Sequence, residues 1–210
     1  KCGACGLYKL CKSPKMRYTG NGKRKILIVS EAPGELEDDA GKLLVGNSSK
    51  ELVQTLSRLD VNLREDCWLT NALICHPKDN AIKDTRWIEY CRPNLLATIK
   101  ELQPEIIILL GGTAVDSLIK WLWKESDVGG IGMFAGFQIP AQRINAWVCP
   151  TYHPAYLLKM QNKVLDNEYF KHLEAAVSLK GRPWDPVPNW TNDVECITSP
   201  REAGLAIDDL

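Results

Sequence analysis

The sequence carries no net charge, because its 26 Lys and Arg residues are matched by 26 Asp and Glu. That balance removes any global attraction to a polyanion, so contact with nucleic acid has to rest on a local patch. No apolar run is long enough to cross a bilayer, and no secretory leader pattern is present. A cytosolic setting without a membrane partner is therefore expected. Internal repeats and low-complexity blocks are also missing, which sets aside solenoids, propellers and disordered tracts. What remains, 45% hydrophobic and 25% charged residues in a chain of 210, suits one good-sized globular domain with extensions.

Charge that balances globally is uneven locally. Residues 1–25 hold Lys1, Lys9, Lys12, Lys15, Arg17, Lys23, Arg24 and Lys25 with no acid, whereas the tail after Pro183 is mostly acidic. The chain opens on Lys and closes on AIDDL, and both ends are expected to be junctions within a longer protein.

The organising stretch is 25–46, KILIVSEAPGELEDDAGKLLVG. Its apolar run, 26–29, is too short for a helix, and its β-branched content suits a strand buried on both faces of a parallel sheet. The run stops at Ala32, Pro33 and Gly34, and Glu35, Glu37, Asp38 and Asp39 follow. Open α/β sheets bind ligands just past the carboxyl ends of such strands. These acids therefore stand either at a pocket mouth or on a solvated loop.

Further along, Ser48 or Ser49 is placed to cap a helix with Leu52, Val53, Leu56 and Leu59 on one face. Residues 67–74, 106–110 and 146–151 read as three more strands. Asp84 or Thr85 caps a helix carrying Trp87, Tyr90 and Cys91, with Pro93 kinking it or opening a second one. Helices are also predicted from GGTA to about Trp123 and over 167–179, while the Gly-rich stretch 128–137 reads as a loop or hairpin. This alternation predicts an α/β fold of three layers, α/β/α, around a mainly parallel sheet of about four strands. Residues 1–181 form that domain, and 182–210, beginning RPWDPVPNW, read as an extended linker.

Eight cysteines in a reducing compartment favour metal or cluster ligation over disulfides. Cys2 and Cys5 form a CxxC, while Cys75 and Cys91 follow the second strand and lie in the next helix. Two such pairs can converge on one four-thiolate site, with Cys11 a competing ligand in the first pair. Cys67 and Cys149 fall in apolar strands and belong to the core. Cys196 lies in the tail without an assigned role. Zinc and an iron-sulfur cluster both accept four thiolates, and spacing does not separate them, although zinc is the commoner structural answer. Either one, fully coordinated, acts as a staple.

Several motifs in order, CGAC, SEAPGELED with GKLLVG, TNALIC, the Cys75 to Cys91 spacing, ILLGGTA and HPAYLL, resemble those of the iron-sulfur (family 4) uracil-DNA glycosylases. The resemblance covers most of residues 2–179. It implies a uracil-DNA glycosylase-like fold stapled by a [4Fe-4S] cluster on Cys2, Cys5, Cys75 and Cys91, with zinc as the lesser alternative. It also implies a monomer that hydrolyses the N-glycosidic bond of uracil in DNA, single-stranded or duplex. By position, Glu31, Ala32, Pro33 and Gly34 line the pocket floor, Glu37 flanks the attacking water, and Asn71 reads the uracil edge, since an amide offers a donor and an acceptor together. His153 hydrogen-bonds uracil O2 as the bond breaks. Ala155, Tyr156, Leu157 and Leu158 face DNA, with the leucines available as a wedge in the gap left by the flipped base or, for at least one of them, as the start of a core helix. Glu35, Asp38 and Asp39 become solvated neighbours.

Cleavage of the base-sugar bond leaves cationic character on the sugar and anionic character on the uracil, so a carboxylate on one side and a donor on the other both help. Two positions depart from the family pattern. Leu43 and Leu44 stand where an aromatic platform is expected under the base, and stacking on an aromatic is worth about 1–3 kcal/mol per base. Ala155 replaces the Ser of HPS. Both departures favour the alternative, a catalytically weak or silent iron-sulfur DNA-binding or structural module. The tail CITSPREAGLAIDDL resembles the lead-in to the exonuclease domain of family A DNA polymerases. That second resemblance implies covalent fusion to exonuclease and polymerase regions, and a bacterial or phage-infected cytoplasm.

Overall fold

In the computed structural model, residues 2–124 and 129–184 are described, apart from the side chain of Asn47. The chain runs β1 (Ile26–Ser30), α1 (Glu35–Ala40), α2 (Asn47–Ser57), α3 (Leu63–Asp66), β2 (Cys67–Asn71), α4 (Arg86–Leu102), β3 (Ile106–Leu110), α5 (Gly112–Trp123), β4 (Ile139–Ala141), β5 (Ala146–Thr151), α6 (Pro154–Met160) and α7 (Lys163–Val177). Short 3-10 turns, among them Leu7–Lys9, fill several connections.

Every residue of β1 and β3 is buried, as unbroken apolar runs require when helices cover both faces. The five strands lie in the order β2-β1-β3-β5-β4. All pairs are parallel except β4 with β5 at one edge. Alternation along β1 divides the core in two. Ile26 and Ile28 meet Leu52 and Leu56 of α2, Leu157 of α6 and Tyr169 and Leu173 of α7. Leu27 and Val29 meet Leu95 and Ile99 of α4 and Val115 and Leu118 of α5. The result is the three-layer α/β/α arrangement that the sequence implies. Burial of each such side chain stabilises by about 1.5–3 kcal/mol, and truncating one, as in Ile108→Ala, costs about 2–5 kcal/mol.

The differences from the sequence reading are local and have physical causes. A fifth strand, β4, is only three residues long and sits at the edge, too short for its periodicity to register. The second strand ends at Asn71 instead of residue 74, because Ala72 and Leu73 turn across to donate to the carbonyls of Ser30 and Glu31. In α2 the N-cap is Gly46, not Ser48 or Ser49, and Val53 is exposed while Leu52 and Leu56 are buried. Pro93 lies inside one continuous α4. Helix α7 begins at Lys163, four residues ahead of expectation, because the side chain of Asn162 accepts from the Val164 N–H and caps it there. Arg182 and Trp184 still pack on the domain, through the Trp147 Nε1–H to the Arg182 carbonyl and ring contact between Trp147 and Trp184. The rest of the tail, with Cys196, lies outside the described residues. Among the described residues no helix is long and apolar enough to cross a membrane.

This topology puts the carboxyl ends of β1, β2, β3 and β5 side by side. The connections leaving β1 and β3 pass over opposite faces of the sheet, and it is beside such strand ends that open α/β sheets take ligands.

Candidate active site and cysteine centre

Past the end of β1, Glu31 accepts a hydrogen bond of 2.8 Å from the Thr113 hydroxyl in the first turn of α5. Pro33 is buried, and its carbonyl lies 2.8 Å from His76 Nδ1. Gly34 caps α1 in extended backbone, and the reason for glycine is space: a Cβ there would lie 2.5 Å from Glu37 Oε2. Glu37 turns back over this cap. Its Oε1 accepts the amides of Val45 at 3.1 Å and Gly46 at 2.8 Å. One carboxylate oxygen therefore ties down the 43–46 loop, and the other lies against Gly34.

Leu43 and Leu44 lie on that loop. Leu43 is core, while Leu44 is half-buried against the α2 face at φ 51°, a left-handed conformation that leucine rarely adopts. The Arg64 guanidinium donates to both carbonyls, at 2.7 and 2.9 Å, and holds the loop in that shape.

Asn71 ends β2 opposite Ser30 in the parallel register. It is 4% exposed, yet its amide makes no hydrogen bond to any described residue. Its side-chain nitrogen and oxygen are not among the fully buried atoms without partners, so the amide keeps a narrow opening through which a ligand or water can meet it.

His153 follows β5 and is the N-cap of α6. Its Nδ1 accepts the Ala155 amide at 3.2 Å, and its Nε2 lies 2.9 Å from the Ser30 hydroxyl. Gly111, at φ +86°, allows the close approach, since a Cβ there would be 3.1 Å from His153 Cβ. Burial holds the imidazole below its usual range, against the opposing pull of the Glu31 and Glu37 carboxylates. The neutral ring, with Nδ1 already accepting, carries its proton on Nε2.

Helix α6 sorts the four DNA-facing expectations. Ala155 spends its amide on His153, Tyr156 is exposed with its ring near Tyr152, and Leu158 is 45% exposed. Leu157 is only 2% exposed and belongs to the core, so it is withdrawn as a wedge. One turn of helix separates inward from outward faces, and Leu157 falls inward.

On the far side of the Pro33 turn, Cys2, Cys5, Cys75 and Cys91 line one small void of about 10 Å³. The Lys15 amide points at Cys75 Sγ and the Ile74 amide at Cys91 Sγ, each at 3.3 Å. Burial pushes the Cys75 thiol up to about 12 and raises that of Cys91. Such buried sulfurs, each met by an N–H donor, suit thiolates neutralised by a bound metal group. Cys11 packs in the same apolar cluster, but it does not line the void. Cys67 and Cys149 are core residues, as their strands imply.

Sequence reading missed the ties between these two places. Asp38 is not solvated: it is 4% exposed, and its carboxylate accepts the amides of Lys12 at 2.9 Å and Ser13 at 2.7 Å. With His76 on Pro33, it fastens the cysteine-bearing segment to α1 and the turn before it. Ser30 and Thr113 were missed as well. The only signal for His76 was its place directly after a candidate ligand, Cys75.

Comparison with known proteins places the chain in a family. Over 182 residues the chain is 36% identical to the type-4 uracil-DNA glycosylase of Saccharolobus solfataricus, covering 85% of this chain and 83% of that protein. It is 33% identical over 174 residues to the type-4 uracil-DNA glycosylase of Pyrobaculum aerophilum, covering 82% and 86%. A DNA polymerase of Bacillus phage SP01 is 27% identical over 168 residues, which are 80% of this chain but 17% of the polymerase. The family model for the uracil DNA glycosylase superfamily matches residues 17–178, and the chain belongs to that superfamily.

Proposed function

We propose that the protein is a DNA glycosylase that hydrolyses the N-glycosidic bond of uracil in DNA. The observation that carries the reading is Asn71, 4% exposed at the end of β2, whose side-chain amide makes no hydrogen bond to any described residue. A flipped uracil presents a carbonyl and an N–H on one edge, which an amide can meet with one donor and one acceptor. Relatives named type-4 uracil-DNA glycosylase support the same substrate.

In this reading the base enters past Leu44 and Asn71 takes its edge. Glu37 holds the loop with Oε1 and has Oε2 left to accept a proton from the attacking water and to face positive charge developing on the sugar. His153, neutral, donates its Nε2–H to uracil O2 as negative charge gathers there. Burial keeps the ring from competing as an imidazolium.

The four cysteines fit a [4Fe-4S] cluster, which when bound would tie the N-terminal segment to α4 through thiolates. A zinc ion needs four sulfurs about 2.3 Å from one centre. Among the described residues no His, Cys, Asp and Glu side chains gather round a single-ion point. An iron-sulfur cluster, with each thiolate on its own iron, does not require the sulfurs to meet at one centre.

Excision of uracil from single-stranded and duplex oligonucleotides, by the parent and by Glu37→Ala, tests the proposal. Free uracil from the parent alone is the expected result, and DNA binding without release would sink it. The second reading, a silent module fused to a polymerase, draws on Leu44 and on the phage polymerase similarity.

A further inference from the structure

We infer that Ser30 is a positioning residue for His153: its hydroxyl holds the imidazole in one orientation, as the tautomer with the proton on Nε2. The inference rests on the uracil-excision reading only for its functional readout.

Three constraints meet at this ring. The Ala155 amide, in the first turn of α6, donates to Nδ1 at 3.2 Å and fixes that nitrogen as an acceptor. Gly111, just past β3, lets the His153 Cβ pack close, since a Cβ there would come within 3.1 Å of it. The third constraint is Ser30, whose oxygen stands 2.9 Å from Nε2. With Nδ1 accepting, Nε2–H is the donor and the serine oxygen accepts in the free protein, and the same N–H is shared between Oγ and uracil O2 once the base enters. Ser30 is 3% exposed and is the last residue of β1, so the parallel register with β2 holds its Oγ in place. A rigid strand thus supplies the second point that an imidazole needs to be fixed about its Cβ–Cγ bond. Alanine would leave a buried N–H without a partner and a ring held only at Nδ1. The carboxylates of Glu31 and Glu37 also bear on this ring. A ring freed from Ser30 can swing its N–H toward them and away from the base.

The test uses the intact protein and three measurements. Imidazole ¹⁵N spectra at neutral pH report the tautomer, with His153 assigned by the signals lost in His153→Asn. In the parent a single Nε2–H pattern is expected. In Ser30→Ala that pattern should give way to a mixture, kcat for uracil release should fall about tenfold, the worth of one neutral hydrogen bond, and KM should stay within about twofold. Ser30→Thr, which restores the hydroxyl, should recover both the pattern and kcat. If Ser30→Ala keeps either the parent nitrogen pattern or the parent kcat, the inference is wrong. A parent that releases no uracil would defeat the functional reading instead, and the nitrogen pattern of Ser30→Ala would then decide the positioning role alone.

Discussion

The pocket at the strand ends and the cysteine centre share a boundary at Pro33, but different forces hold them. Ser30, Asn71 and His153 sit on or directly after strands buried on both faces, so the whole core fixes their positions. The cysteine centre has a small apolar cluster of its own around Leu7, Leu73 and Ile88, and Cys2 and Cys5 lie on a segment with no strand. A pocket built on a sheet is preorganised by folding, whereas a centre built on loops needs a staple to hold its shape. Asp38 and His76 then carry order from one place to the other.

The largest expected effect separates the two regions outright. His153→Ala should lower uracil excision about a hundred- to a thousandfold, the usual worth of one donor to a developing anion, while the amides of residues 2–16 keep their hydrogen-exchange protection. Cys75→Ser should do the reverse. Amides of residues 2–16 should lose hydrogen-exchange protection while those of β1 and β3 keep theirs. Equal loss of protection in both places would break the comparison.

Asp38→Ala tests the tie. Removing a buried carboxylate that accepts two amides should cost about 1–3 kcal/mol in urea unfolding. It should also loosen α1, seen as faster exchange at the Val45 and Gly46 amides that Glu37 holds. Stability equal to the parent would mean that the two regions are independent.

A smaller gain is expected from Leu44→Phe. An aromatic under the base should raise excision by about tenfold, since stacking is worth roughly 1–3 kcal/mol. The left-handed backbone at this position, fixed by Arg64, is the same for either side chain. Unchanged excision would place the base elsewhere.

The smallest effect is on pH. Both His153 and His172 are held below the usual value of 6.5, chiefly by burial. The unfolded chain therefore binds protons that the folded one refuses. Their contribution to stability is complete above 6.5 and is lost as pH falls from there through the lower folded values. A melting temperature that drops on acidification below about 6.5, with a shallower drop in His153→Asn, is the expected record.

What the sequence made legible follows from where each signal is stored. Strands buried on both faces announce themselves as apolar runs, so β1, β3 and β5 were found with their bounds nearly right. The turn at Ala32, Pro33 and Gly34 marked the site for the same local reason. Strand β4 was missed because three edge residues carry no pattern, and Val53 was misplaced because one position on a helical wheel separates core from solvent. Ser30 was out of reach for another reason: its partner His153 lies 123 residues away, and a serine ending a strand looks the same with or without it. Asp38 lay hidden within a run of acids, where only burial distinguishes a tie from a solvated neighbour.

One measurement bears most directly on the pocket: release of free uracil from a uracil-containing oligonucleotide by the parent protein, with Asn71→Ala beside it. Release by the parent and its loss in Asn71→Ala, with DNA binding kept in both, is the predicted result. A parent that binds the oligonucleotide and frees no uracil, or an Asn71→Ala variant as active as the parent, would contradict it.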